Sequence, residues 1–290
     1  MEIKNLQNAD RKVTKQMGPF SILEYMKDLS VSPYSAASAY FMEKMGVRRK
    51  QVICSLRDST IMMQAGALQW MTGNITMETD VKGAGDFIGK MVKGAVTKES
   101  AVKPLYKGTG IVALEPTYKF LIPINVGEWE GGITLEDGMY LVSEGSVQLN
   151  IVHRKNVSSA ILGNEGLFNV SLSGQGCAVL ESNVPMEELI EVSITNGELK
   201  IDGRQAVCWS SGLDFTVEKS TKSLIGSAIS NEGLLNVFRG TGKVLMSPVA
   251  PTSSLGAATN TVSAKAADQN SNAFNNAAGI AGNLIGGILK

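Results

Sequence analysis

One stretch of this chain occurs three times at a fixed interval, and this constrains the fold more than any other feature. Residues 164–182 read N-E-G-L-F-N-V-S-L-S-G-Q-G-C-A-V-L-E-S, and residues 231–247 read N-E-G-L-L-N-V-F-R-G-T-G-K-V-L-M-S. A more divergent version, E-S-A-V-K-P-L-Y-K-G-T-G-I-V-A-L-E-P, fills 99–116. The first glycines of the G-x-G elements, Gly108, Gly174 and Gly240, are spaced 66 and 66 residues apart, each followed two residues later by Gly110, Gly176 or Gly242. The leading acids Glu99, Glu165 and Glu232 are spaced 66 and then 67, so the third version has lost one residue before its G-x-G. A one-residue slip in a strand turns every side chain to the other face, so this loss predicts a bulge in one of the three.

A second landmark lies upstream of each G-x-G. Gly66, Gly138 and Gly203 sit between apolar runs, in A-G-A, E-D-G-M and I-D-G-R contexts, and read as tight hairpin turns. R-D-S-T (57–60) and T-G-N (72–74) also read as turns. The G-x-G elements themselves read as hairpin turns where backbones crowd. They lack the G-K-[ST] or G-x-x-G extension of a phosphate or dinucleotide loop and lead into strands, not a helix N-terminus. Together the landmarks define an all-β core of three tandem units, 48–116, 119–183 and 187–249. Each is too small to close a core alone, so they must pack on one another.

The flanks differ. Ile22, Leu23, Met26 and Leu29 within 17–29 have helical spacing, and 35–45 is rich in helix formers before Gly46. Residues 1–46 therefore read as an arm of short helices packed on a sheet edge. Residues 82–98 place Phe87, Ile88 and Met91 on one face among lysines. That is a basic amphipathic helix suited to capping the β body, or to contacting a membrane surface or a partner. Residues 250–272 are small and polar and read as a linker. The tail 273–290 turns apolar again, with Phe274, Ile280, Leu284, Ile285 and Ile288 on a helical stripe. Its glycines leave it ordered only when docked.

Composition removes several function classes. Lys plus Arg equals Asp plus Glu at 27 each, so no net field draws the chain to nucleic acid or an anionic membrane. Cys54, Cys177 and Cys208 are odd in number, lack C-x-x-C spacing and sit in apolar runs, which argues against disulfides and zinc. His153 is the single histidine, so neither a histidine triad nor a multi-histidine metal site can form within one chain. Trp70, Trp129 and Trp209 read as core packing, Trp70 and Trp209 in corresponding strands. Glu99, Glu165 and Glu232 could meet at one axis to hold a cation, but acceptance of turn hydrogen bonds is the simpler role. No cofactor, metal ligand or catalytic residue is identified. The polar N-terminus and the lack of an apolar run of about 18 residues suit a cytoplasmic chain, with membrane association left open.

The repeated E-G-L…G-x-G pattern, the run A-G-A-L-Q-W-M-T-G-N-I-T-M-E-T (65–79) and the insertion ending T-K-E-S resemble the altered inheritance of mitochondria protein 24 family, over about 48–249. The resemblance implies three β-sandwich modules of the type seen in the tryptophan RNA-binding attenuation protein, with pseudo-threefold symmetry. It also implies subunit association, with a trimer favoured. Mitochondrial members are linked to inner-membrane organisation, and the family supplies no catalytic residues. The preferred expectation is a non-enzymatic oligomeric scaffold with an unidentified protein partner. A peripheral membrane organiser using 82–98 and the tail, and an RNA or small-ligand binder by fold analogy alone, are the alternatives.

Overall fold

The computed structural model describes residues 2–78, 103–153, 168–202, 205–219 and 234–249. The first segment opens with a hairpin of β1 (Arg11–Met17) and β2 (Phe20–Tyr25), joined at Gly18. A helix was expected over 17–29. The spacing of Ile22, Leu23 and Met26 fits a helix, but it also fits a strand buried on both faces. Strand burial wins because β2 pairs with β3 (Lys50–Met63), placing Phe20 and Ile22 in one apolar cluster and Leu23 in another. The helix expected at 35–45 does form, as α1 (Ala36–Lys44), with Ser35 at its N-cap position and Gly46 just past its C-cap. Only one helix is present among the described residues of this arm, and none of its residues is fully buried.

The rest of the described core is β. It continues with β4 (Leu68–Glu78), β5 (Leu105–Leu114), β6 (Phe120–Asn125), β7 (Ile133–Leu135), β8 (Tyr140–Glu144) and β9 (Gln148–His153). Next come β10 (Phe168–Ser173), β11 (Cys177–Ser182), β12 (Ile190–Asp202), β13 (Ala206–Ser210), β14 (Asp214–Lys219) and β15 (Leu234–Met246). Among the described residues every ladder is antiparallel. One sheet runs β1-β2-β3-β8-β11-β6, with β5 pairing both β3 and β4. The other runs β12-β15-β13-β7-β10-β9, with β14 added on β15.

The glycine-containing strands set this topology. β5 lies between β3 and β4, and β15 lies between β12 on one side and β13 with β14 on the other. In the middle stretch, β11 pairs β6 and β8 in the first sheet, while β10 pairs β7 and β9 in the second. The G-x-G elements are therefore not hairpin turns. Gly108 and Gly110 lie inside β5, Gly240 and Gly242 lie inside β15, and Gly174 and Gly176 lie where the chain passes from β10 in one sheet to β11 in the other. All six glycines have positive φ, from +92° to +156°.

The other expected turns are corrected in the same way. R-D-S-T falls inside β3 and T-G-N inside β4. Reversals do occur at Gly66 and Gly138, but β3 and β4 pair with β5 and not with each other, and β7 and β8 belong to different sheets. Gly203, the third of these landmarks, lies outside the described residues. Local turn chemistry specifies a reversal, whereas the ladders formed by distant strands decide which neighbours pair.

The bulge expected within one of the repeated segments is not found in their described parts; bulges lie instead on the strands facing the glycines. Register shifts lie between Leu56 and Ser59 in β3, opposite Gly110 and Gly108, and between Ile194 and Gly197 in β12, opposite Gly242 and Gly240. Asp58 and Asn196 carry the extra residue in left-handed conformation, at φ 47° and 49°. Asp and Asn adopt this conformation more readily than most side chains.

Four apolar clusters fill the described core, the smallest formed by Leu23, Ile53 and Ala113. Val52, Cys54, Ile61, Met63, Val112 and Leu114 meet Val142 and Val179 in the first. Ile122, Trp129, Ile133, Leu135, Leu172 and Leu180 meet Cys208 and Leu245 in the second. Ile194, Ile201, Trp209, Phe238 and Val244 form the third, where Trp209, Phe215 and Phe238 stack with centroids 5.0–5.2 Å apart.

Candidate interaction surfaces

Three parts of the described surface have the chemistry to do something beyond folding: the glycine corners, the region around α1, and the strand edges. At the corners, Thr109 Oγ1 accepts a hydrogen bond from Asp58 N at 2.9 Å, and Thr241 Oγ1 accepts one from Asn196 N at 3.1 Å. The middle residue of G-T-G thus caps the bulge of the facing strand. Crowding at the corner is severe. A Cβ on Gly108 would lie 2.0 Å from the carbonyl oxygen of Asn74. The glycines and threonines of these corners serve to bend the sheet.

The three cysteines are also structural. Burial pushes the Cys208 thiol up to about 12 and pushes Cys54 higher still. Burial first, and then the Glu144 carboxylate, push Cys177 up to about 11; Glu144 Oε2 accepts from Cys177 N at 2.6 Å. Thiols so held are poor nucleophiles and poor metal ligands. His153 ends β9, opposite Phe168. Among the described residues no group of three His, Cys, Asp or Glu is placed to hold a metal ion. Glu99, Glu165 and Glu232 lie outside the described residues, as do Phe87, Ile88, Met91, Phe274, Ile280, Leu284, Ile285 and Ile288.

A groove of about 290 Å³ runs beside α1, lined among others by Tyr25, Asp28, Tyr40, Arg48, Arg49 and Tyr118. Two of its arginines are paired with carboxylates. Arg49 Nε lies 3.0 Å from Asp28 Oδ2 and its guanidinium stacks 5.3 Å over Tyr118, while Arg48 Nη1 lies 3.3 Å from Glu24 Oε1. Arg48 Nε is nonetheless buried without a hydrogen-bond partner, and Lys27 and Glu43 also line the groove. The apolar surface beside it is more suggestive. Leu29, Tyr34, Tyr40, Phe41 and Met45 are exposed, with Tyr34 at 98% and Met45 at 81%. Clustered exposed apolar side chains, such as the neighbouring Tyr40 and Phe41 rings 5.5 Å apart, mark interaction sites.

Strand edges form the third feature. The two junctions between successive stretches are built alike. β3 joins β8 through Ile61–Glu144, Met62–Ser143 and Met63–Val142 pairs, flanked by Gln64 N→Leu141 O and Gly145 N→Thr60 O bonds, each 2.8 Å. β7 joins β13 through Ile133–Ser210, Thr134–Trp209 and Leu135–Cys208 pairs, flanked by Glu136 N→Val207 O at 3.0 Å and Ser211 N→Gly132 O at 2.9 Å. Side chains add to both junctions. Tyr140 OH donates to Met62 O at 2.7 Å, and the Thr134 and Ser211 hydroxyls lie 2.9 Å apart. Among the described residues β12 pairs only with β15, and β4 only with β5.

Trp70 and Trp209 lie in corresponding strands, but the registers place them one position apart. Trp209 faces Val244, two residues past Gly242, whereas Trp70 faces Ala113, three past Gly110. Met71, facing Val112, is the residue that matches Trp209. The one-residue offset puts Trp70 on the opposite face, half-buried against Leu23 and Ile53, while Trp209 fills a core.

These features define a class, an antiparallel β protein of two curled sheets bent at glycine corners, and a solved structure shares its fold. A crystal structure of a Streptococcus pyogenes protein matches with a TM-score of 0.54 and 23% identity, covering 74% of this chain and 94% of that one. An uncharacterized protein of Streptococcus pyogenes serotype M6 is 28% identical over 193 residues, covering 64% of this chain and 75% of its own length. The family model described as Mitochondrial biogenesis AIM24 matches residues 42–249, and the chain belongs to that family. The matched region begins inside α1, so most of the exposed apolar segment precedes it.

Proposed function

We propose that this chain is a non-enzymatic β scaffold that works as an oligomer and binds a protein partner. On this reading, three copies of one β unit are joined in series along the chain. The observation that carries it is the exposed apolar surface of Leu29, Tyr34, Tyr40, Phe41 and Met45 around a helix with no fully buried residue. A helix gains most of its stability by burying an apolar face, so an outward one implies a partner surface. The shared placement of bulge, glycine corner and threonine cap in the first and third stretches supports common descent of the units. The equal numbers of acidic and basic residues favour protein over nucleic acid as partner.

Size-exclusion chromatography with light scattering on the full chain tests the reading. A discrete multimer, with a trimer favoured, is expected at micromolar concentration, and a strict monomer overturns it. The membrane-organiser alternative rests on 82–98 and 273–290, which lie outside the described residues, and flotation of the full chain with liposomes addresses it directly.

A further inference from the structure

The two junctions inside the chain use one pattern, and among the described residues β12 and β4 each carry one half of it without the other. By register against the glycine strands, Ile61, Ile133 and Leu199 are equivalent: they face Tyr106, Leu172 and Phe238, each two residues before the first glycine of a G-x-G. On the receiving side, Ser143, Trp209 and Met71 are equivalent, facing Ala178, Val244 and Val112, each two residues past the second glycine. The first and second stretches donate a strand segment to the stretch that follows, through Ile61–Met63 equivalents onto β8 and β13. The third stretch has the same donor segment in β12, at Leu199, Lys200 and Ile201, and no stretch follows it within the described core. The first stretch has the same receiving segment in β4, and no stretch precedes it there.

We propose that the β12 edge of one copy of this chain pairs antiparallel with the β4 edge of a second copy, head to tail, with Lys200 opposite Met71. The occupant is a second copy because the missing half of each junction is supplied by the other end of the same chain. Equivalence extends to the flanking bonds: Asp202 N would donate to Gln69 O, as Gln64 N does to Leu141 O, and Gly73 N to Glu198 O, as Gly145 N does to Thr60 O. Exposure points the same way. Met71 is 42% exposed, whereas its junction equivalents Ser143 and Trp209 are 0% and 3% exposed. An open strand edge is a template for another strand, and a heterologous contact of this kind closes into a ring or propagates. The proposal rests on the self-association reading above and names the surface that mediates it.

Cross-linking of the full chain under mild copper-catalysed oxidation tests it, with native melting behaviour of each variant checked first. An equimolar mixture of Met71→Cys and Lys200→Cys chains is expected to give a covalent dimer that neither variant gives alone. The dimer is expected to be lost when Leu199→Cys, whose side chain faces the other way, replaces Lys200→Cys. Self-cross-linking of either single variant, or closure of the double variant within one chain, overturns the proposal. A wild-type multimer with no mixed dimer overturns this edge pairing alone, whereas a wild-type monomer overturns the self-association reading with it. Hydrogen exchange on the wild-type chain supplies a readout free of substitutions. Amides of 69–73 and 198–202 are expected to slow with rising protein concentration, and concentration-independent exchange in both segments overturns the pairing.

Discussion

Gly108 shows how much of this fold hangs on single backbone positions. Its φ of +139° and the mere 2.0 Å that would separate a Cβ there from Asn74 O act together. Left-handed or otherwise strained backbone costs about 1–3 kcal/mol in a non-glycine residue, and overpacking costs a further 1–3 kcal/mol or so. Gly108→Ala is therefore expected to lower stability by about 3 kcal/mol or more in denaturant unfolding. Gly66→Ala, with φ +82° and nothing within 4 Å, carries only the conformational cost of about 1–2 kcal/mol. Near-equal losses for the two would contradict the corner assignment. At Cys177 the prediction concerns pH. The folded thiol is held at about 11, by burial first and by Glu144 second, against about 8.5 for an unfolded thiol. Because the folded value is the higher one, the stabilisation it reflects is complete below about pH 8.5 and is lost as pH rises towards about 11. Unfolding midpoints measured across that window are expected to fall less steeply for Cys177→Ser than for the wild type.

At the scale of elements, bulges and junctions do the organising. Thr109 and Thr241 cap the bulged residues of β3 and β12, so Thr109→Val is expected to cost about 1 kcal/mol, the net worth of a typical hydrogen bond. A loss indistinguishable from zero in chemical denaturation would remove the capping role. Tyr140→Phe deletes the hydroxyl that bonds Met62 O across the β3–β8 junction, where Ser143 Oγ also lies 3.0 Å away. Its expected cost, read from the same kind of unfolding curve, is about 1–2 kcal/mol, because buried acceptors lose a partner. The sequence was readable at this scale only in part. The repeated glycines announced their positions, yet a pair of glycines in a strand looks the same locally whether it reverses the chain or bends it through a corner. The segment around Ile22 and Leu23 was ambiguous for a related reason, since a strand buried on both faces and one turn of an amphipathic helix place apolar residues at similar intervals.

For the whole molecule, the predictions concern surfaces. Phe41→Asp adds a charge to an exposed position, so melting should move little while partner capture by the full chain falls. A large loss of stability would mean that Phe41 is covered within the fold and not offered to a partner. The apolar residues of α1 were legible as helix formers, but their outward orientation was not, because helical periodicity is silent about which face finds a core. The strand edges were illegible for the same kind of reason: Met71 and Trp209 occupy matching register positions, yet one is exposed and the other buried.

By itself the sequence determined that one segment recurs three times, where its glycines fall, and that the core is β, because repeat spacing and strand patterning are local properties. Which strands pair, that the glycines form corners and not hairpins, and which edges are left without a neighbour among the described residues were decided only by the tertiary structure. Those outcomes depend on hydrogen-bond ladders between residues far apart in the chain, such as Ile61 with Glu144 and Thr134 with Trp209, and no local pattern encodes a partner at that distance.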